Sequence, residues 1–182
     1  MINTVDVGLM ANHLSAHQPV IKRLELYAAH VQNQSILTIL EKQIQIMKNH
    51  VNVMNQLLNP KQSEVTLPPI PINPGMTSRQ SDTEFQMNNQ DIVKDARFTA
   101  SSMAKENFNS AENMKDKQVK KLHSEMALQQ SAIAELYETL MTQMGWINQP
   151  NASVQEQTSV MAPLSTMPNP QSPDNQQPEH FN

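Results

Sequence analysis

The sequence predicts an all-α protein, a four-helix bundle made of two helical hairpins. All twelve prolines and all three glycines lie outside residues 20–59 and 76–144. Because proline and glycine break helices, the two stretches without them are expected to be helical. Within both stretches apolar residues recur three and four positions apart, which is the spacing of a buried helix face. Each stretch is long enough for two helices joined by a turn.

The first hairpin is predicted over residues 15–58, after an N-terminal arm of residues 1–14. The run Ser15-Ala-His-Gln18 matches the capping box, in which two side chains satisfy free backbone donors at a helix start. A helix is therefore expected to begin near Ser15, with Pro19 harmless in its first turn. Its buried stripe is predicted to consist of Val20, Leu24, Tyr27 or Ala28, and Val31. The polar residues 32–35 are the predicted turn.

The second helix of this hairpin carries the clearest periodicity of the chain. Seven apolar residues alternate three and four apart: Leu37, Leu40, Ile44, Met47, Val51, Met54 and Leu58. Flanking apolar residues widen this stripe: Ile36, Ile39, Ile46, Val53 and Leu57. A stripe this wide predicts contact with more than one neighbouring helix, as in a bundle.

Residues 59–90 form the predicted linker, with five prolines and Gly75. This is long for a connection between helices. A helix of about 24 residues is roughly 36 Å long at 1.5 Å per residue, and an extended, proline-rich chain covers roughly 3 Å per residue. The linker can therefore return along the whole bundle as a crossover.

The second hairpin is predicted over residues 91–147. Asn89 or Asp91 is the expected cap of its first helix, and a polar turn is expected around residues 115–117. Gly145 is the predicted C-cap, after which Trp146 and Ile147 fold back on the last turn. The expected buried stripe of the first helix consists of Ala96, Ala100, Met103 or Ala104, Ala111 and Met114. The stripe of the second helix consists of Val119, Leu122, Met126, Ile133, Leu136 or Tyr137, Leu140 and Met144, with Gln129 in one core position.

The amide-rich residues 148–182 have prolines and no apolar periodicity, so they are predicted to form a disordered tail. A shift of 86 residues superimposes the second helix of the first hairpin on that of the second, with Gln43 on Gln129 and Met47 on Ile133. This suggests a duplicated hairpin. Two hairpins joined by a long crossover give the up-down-down-up bundle of ferritin-like folds.

Composition excludes several classes of function. The formal net charge is −4 and no basic cluster is present, which argues against nucleic-acid binding. Asparagine and glutamine number 38, more than all charged residues. Without cysteine, disulfides and thiolate metal sites are impossible. We expect no membrane span and no secretory signal. With so few glycines, no phosphate-binding loop is expected. No small-molecule substrate is evident.

Three histidines are the candidate metal ligands. If the first turn is centred near residue 33 or 34, His17 and His50 lie at the same level of the hairpin, and His13 lies one turn before His17. Imidazoles bind zinc or copper and also respond to pH. No carboxylate at a matching height completes a ligand set, and the Glu-x-x-His motif of di-iron bundles is absent. We therefore predict no catalytic residue, no metal and no cofactor, and expect these rings to hydrogen-bond to backbone or water.

The second hairpin carries a family resemblance. Residues Asp91-Ile-Val-Lys-Asp-Ala-Arg, the stretch Ala100 to Met114, and Leu136-Tyr-Glu-Thr-Leu-Met-Thr-Gln-Met-Gly-Trp146 resemble the Coat F family of spore coat proteins from endospore-forming bacteria. The resemblance covers about 57 residues directly, or about 100 with the first hairpin counted as a degenerate copy. Ile147 stands where the family commonly has an aromatic residue after Gly-Trp.

The resemblance implies a ferritin-like bundle that serves as a non-enzymatic structural component of the endospore coat, made in the mother-cell cytoplasm. Its partners would be other spore coat proteins or further copies of the same chain. Two alternatives stay open at this stage. One is a metal-binding or redox protein on a ferritin-like scaffold. The other is a helical adaptor that docks another coat protein through the surplus apolar face of the second helix.

Overall fold

The computed structural model describes residues 2–62, 64–74 and 87–161, and the described residues are all-helical. The helices are α1 (Thr4–His30), α2 (Gln34–Leu58), α3 (Asn89–Asn113), α4 (Lys117–Gln143) and α5 (Val154–Met161). The first four pack as two hairpins within one compact unit, residues 1–147. The all-α class and the four-helix bundle predicted from the sequence are confirmed.

Helix α1 begins eleven residues earlier than predicted, at Thr4 rather than near Ser15. Its N-cap is Asn3, whose Oδ1 accepts a hydrogen bond from the Val5 amide at 2.9 Å. Ser15 lies inside the helix and its hydroxyl donates to the Asn12 carbonyl at 2.8 Å, so the predicted capping box and N-terminal arm are wrong. Pro19 therefore lies in the middle of α1, where it removes one backbone hydrogen bond.

The other helix ends follow the sequence closely. Asn33, Asn88 and Asp116 are the N-caps of α2, α3 and α4. The predicted cap of α3, Asn89 or Asp91, is therefore wrong, and the observed cap lies one residue before Asn89. Gly145 has a φ of 68°, a left-handed conformation that glycine adopts without steric cost. The Trp146 amide donates to the Met141 carbonyl at 2.8 Å, which closes the helix with a Schellman turn. The predicted glycine cap is confirmed.

Contacts between the hairpins define the direction of each helix. Three side-chain pairs join α1 and α3, and residue numbers rise on one helix as they fall on the other: His13 with Ser110, Arg23 with Thr99, and Tyr27 with Asp95. Two pairs join α2 and α4 in the same antiparallel manner: Gln43 with Tyr137, and His50 with Gln129. Helices α2 and α3 therefore run in the same direction, and the bundle is up-down-down-up with a crossover between them.

The described part of the crossover is packed against the bundle. Val65 is buried, and Leu67 and Ile70 pack against core residues. The Gln129 side-chain amide donates to the Pro68 carbonyl at 2.8 Å, which fixes the crossover to α4. Residue 63 and residues 75–86, including Gly75, lie outside the described residues.

The core contains two apolar clusters, one toward each end of the bundle. The larger includes Leu24, Leu40, Ala96, Ile133 and Tyr137, with Trp146 and Ile147 packed against it. The smaller includes Met10, Met54, Met114, Val119 and Met126. On α2 the flanking residues are buried, whereas Leu37, Val51 and Leu58 at the predicted seam are only half-buried. Among the described residues, none of the large exposed apolar side chains lies on α2, so the apolar surface that α2 leaves accessible is limited to such half-buried side chains.

Residues 148–161, within the predicted tail, belong to a second unit that contains α5. This helix is eight residues long and has no buried residue. Residues 162–182 lie outside the described residues. Across the residues that are described, no helix combines the length and the apolar character needed to cross a membrane.

Candidate functional site

A layer of buried polar side chains separates the two apolar clusters. It lies between Met10 and Leu24 on α1, between Met47 and Val53 on α2, between Met103 and Ala111 on α3, and between Val119 and Ile133 on α4. The layer consists of His13, His17, His50, Asn107, His123 and Gln130, each 5% exposed or less. We refer to its four histidines as the histidine cluster.

The histidine cluster draws its rings from both hairpins. Ring centroids are 6.1 Å apart for His13 and His17, 5.9 Å apart for His17 and His50, and 5.2 Å apart for His13 and His123. The predicted proximity of His17 and His50 is therefore confirmed. His123, contributed by α4, places one ring of the cluster on the other hairpin.

Each of the four rings uses one nitrogen in a hydrogen bond. His17 Nδ1 lies 2.7 Å from the His13 carbonyl, and His13 Nε2 lies 2.8 Å from the Ser110 hydroxyl. His50 Nε2 lies 2.9 Å from Gln129 Oε1, and His123 Nδ1 lies 3.2 Å from Asn107 Oδ1. The expected bond to the backbone is found for His17, whereas His13 and His50, expected to bond to backbone or water, bond to the side chains of Ser110 and Gln129.

The surroundings determine which ring nitrogen carries the proton. Gln129 donates its amide N–H to Pro68 and Asn107 donates its own to Met103, so in both cases the carbonyl oxygen faces the histidine. A carbonyl oxygen can only accept, hence the bonded nitrogens of His17, His50 and His123 carry the proton. The opposite nitrogens of these three rings then carry lone pairs.

Within the part of the chain that the structure describes, these three lone pairs have no protein hydrogen-bond partner. His17 Nε2, His50 Nδ1 and His123 Nε2 are buried and unpartnered, as are both side-chain amide atoms of Gln130. An unsatisfied buried polar group costs about 1–3 kcal/mol, so the polar layer makes the bundle less stable than an apolar core of the same shape would. The arrangement leaves basic nitrogens in the interior that can accept a proton.

Burial strongly disfavours protonation of the cluster. The pKa of His17 is lowered to about 4 and the pKa values of His50 and His123 to about 3, mainly by desolvation and in smaller part by the neighbouring histidines. Desolvation also lowers the pKa of His13, which the nearby Glu106 carboxylate partly opposes. At neutral pH all four rings are therefore uncharged in the folded protein.

His13 connects the cluster to the surface. It lies in a cleft between α1 and α3, together with Leu9, Glu106 and Ser110. In the described ranges, no three histidine, aspartate or glutamate side chains are placed so that they could hold a metal ion.

The sequence analysis missed His123, Asn107, Gln130 and Asp6. Asp6 is fully buried and its two carboxylate oxygens accept hydrogen bonds from the Lys115 and Asp116 amides at 2.7 and 2.9 Å. The available signal was spacing alone. On α4 the positions 119, 123, 126, 130, 133 and 137 alternate four and three apart and are all buried, so His123 and Gln130 occupy seam positions.

Two further groups of polar contacts join the hairpins, one centred on Gln43 and one on Asp95. The Tyr137 hydroxyl donates to Gln43 Oε1 at 2.8 Å, and Gln43 Nε2 donates to the Ala96 carbonyl at 3.3 Å. Closer to the surface, Asp95 accepts a hydrogen bond from Tyr27 and forms an ion pair with Arg23. Such directional bonds favour one alignment of the two hairpins over others.

The fold is similar to that of a crystallised protein described as a "putative spore coat protein" from Bacillus halodurans C-125. The TM-score is 0.67 at 16% sequence identity, over 84% of this chain and 95% of that chain. No protein-family model and no curated protein matches the sequence. The fold and the polar layer define a four-helix bundle protein with a buried histidine cluster. Its fold is similar to that of this crystallised protein.

Proposed function

We propose that this chain is a non-enzymatic structural component of the bacterial endospore coat and acts through protein–protein assembly. The observation that carries the proposal is the shared fold with a spore coat protein over nearly the whole bundle. The Coat F resemblance of α3 and α4 points to the same role independently of the fold. Synthesis in the mother cell, with later deposition on the spore, is part of this proposal.

The surface available for assembly lies on α3 and α4. Phe108 is 54% exposed and Leu128 is 69% exposed, and both line one groove whose floor includes Ala104 and Ala127. Isolated exposed apolar residues are common on proteins, but apolar residues grouped in a groove favour protein contact. Another coat protein or a second copy of the chain would cover these side chains.

A fluorescent fusion of the full chain, expressed during sporulation, tests this assembly. We expect a ring of fluorescence around the developing spore. The variants F108S and L128S should weaken the ring without lowering the melting temperature, because both side chains are largely solvent-exposed in the isolated bundle. Diffuse fluorescence of the unmodified chain throughout sporulation would contradict the proposal.

The alternative is a metal-binding or redox protein on the same scaffold. Elemental analysis of the purified protein distinguishes the two roles. A transition metal present at one ion per chain, and retained through dialysis against a chelator, would favour the alternative. Substoichiometric metal that dialysis removes is the result expected for a structural coat protein.

A further inference from the structure

The histidine cluster lies where the two hairpins meet. His13, His17 and His50 belong to the α1–α2 hairpin and His123 belongs to the α3–α4 hairpin. Each helix packs more extensively on the other helix of its own hairpin than on any single helix of the other hairpin. Positive charge in this layer would therefore act on the less extensive helix pairings of the bundle.

The neighbours of the cluster offer little compensation for such a charge. Its neighbours on α3 are the neutral Asn107 and Ser110 together with Glu106, which faces His13 from the cleft. On α4 and the crossover its neighbours are the neutral Gln129 and, through it, the Pro68 carbonyl. The other titratable groups that act on the rings of His17, His50 and His123 are the histidines themselves.

We propose that the histidine cluster makes this bundle an acid-sensitive unit, which opens along the contact between its hairpins when the buried rings take up protons. Three unpartnered lone pairs on His17, His50 and His123 are the proton acceptors. The cleft at His13 brings solvent to the edge of the cluster. Protonated rings in a closed, uncompensated interior are strongly disfavoured, whereas water solvates them once the hairpins separate. This device is independent of the coat role proposed above.

The test is the pH dependence of the unfolding equilibrium of the full chain, measured by urea titration with circular dichroism at several pH values between 8 and 5. Three rings that are neutral when folded and charged when unfolded bind about three protons on unfolding. The unfolding constant should then rise about tenfold per proton, or about 1,000-fold, for each pH unit below about 6. A rise of less than tenfold per pH unit would overturn the proposal.

Neutral substitutions locate the effect. Each of H17Q, H50Q and H123Q should reduce the rise by about tenfold per pH unit. The matched control is H30Q, because His30 lies in the last turn of α1 and is half-buried, outside the polar layer, and this variant should behave like the unmodified chain. An unchanged pH dependence in all three buried variants would refute the assignment.

If the buried variants do not fold, proton uptake by the unmodified chain decides the question. Unfolding at pH 5 with an indicator dye in weak buffer should consume about three protons per chain from these rings. Uptake of fewer than one would overturn the proposal. This measurement does not depend on whether the protein is found in the spore coat.

Discussion

Asp6 offers the sharpest test of the start of α1, which lies eleven residues before the predicted one. Its carboxylate joins the first turn of α1 to the turn between α3 and α4, where it accepts hydrogen bonds from the Lys115 and Asp116 amides at 2.7 and 2.9 Å. The side chain is fully buried. The substitution D6A removes both bonds and leaves two backbone donors without their acceptor.

The expected loss can be estimated from these contacts. A hydrogen bond to a charged group contributes about 1.5–3 kcal/mol, and both donors are only partly buried, so the lower end of this range applies to each. We expect D6A to lower the free energy of unfolding by about 3 kcal/mol. For a bundle of this size the melting temperature should fall by roughly 6–12 °C.

Thermal unfolding followed by circular dichroism measures this loss, with two further variants for comparison. D6N keeps one carbonyl acceptor and should lose about half as much. D91A removes an exposed acidic residue from the first turn of α3, where only the weaker helix-dipole and local contacts are lost, so its cost should stay below about 1 kcal/mol. If D6A costs no more than D91A, then residues 4–14 are not helical in solution and α1 begins near Ser15 after all.

Three further predictions concern the core and the helix ends. Y137F removes the only donor that the structure gives to Gln43 Oε1 within the described residues, so it should lower the free energy of unfolding by about 1–3 kcal/mol. Chemical denaturation measures this loss, and an unchanged free energy of unfolding would contradict the buried bond. G145A places alanine at a φ of 68° with no atom within 4 Å of the added methyl group, so the cost should come from the backbone alone, about 1–2 kcal/mol, and melting curves should detect it. The three buried histidines with folded pKa values of about 4, 3 and 3 should together reduce stability by about 6 kcal/mol between pH 8 and pH 5. Stability falls with pH because each folded pKa lies below the unfolded value of about 6.5. The stabilising contribution of these rings is therefore fully present above pH values of about 6.5 and is lost as the pH falls. An unchanged urea midpoint between pH 8 and pH 5 would contradict this prediction.

The presence and order of the helices could be predicted from the sequence, because the positions of proline and glycine and the apolar periodicity indicated the same helices along most of the chain. Asn33, Asp116 and Gly145 lie at helix ends where local chemistry decides the conformation, and local chemistry is visible in sequence. The start of α1 was different. Asn3 and Ser15 are comparable capping residues, and only contacts with a distant turn, such as that of Asp6, favour the earlier start.

The polar layer was only partly predictable for a related reason. Helical periodicity is recognised from the spacing of apolar residues, so a polar residue at a buried position interrupts the pattern. On α1 the positions 6, 10, 13, 17, 24 and 27 are all buried, yet three of them carry Asp6, His13 and His17. The hairpin register predicted that His17 and His50 would be neighbours. The approach of His123 could not be predicted, because it depends on how the two hairpins pack together.

The buried histidines also affect which alignment of the helices is favoured. Unsatisfied polar groups destabilise a core, but polar layers in helical bundles can favour one alignment over its competitors. Here the bonds from His50 to Gln129 and from His123 to Asn107 constrain α2 and α3 relative to α4. A cost in stability at low pH would then accompany a gain in structural specificity.

The central claim is that the chain is part of the endospore coat, and fractionation of sporulating cells tests it most directly. Spores are purified free of mother-cell debris, the coat is extracted with detergent and reductant, and the chain is quantified by antibody in each fraction. The proposal predicts that the protein accumulates only during sporulation and that most of it is recovered in the coat extract. Recovery in the cytosol of growing cells, with none in the coat extract, would contradict it.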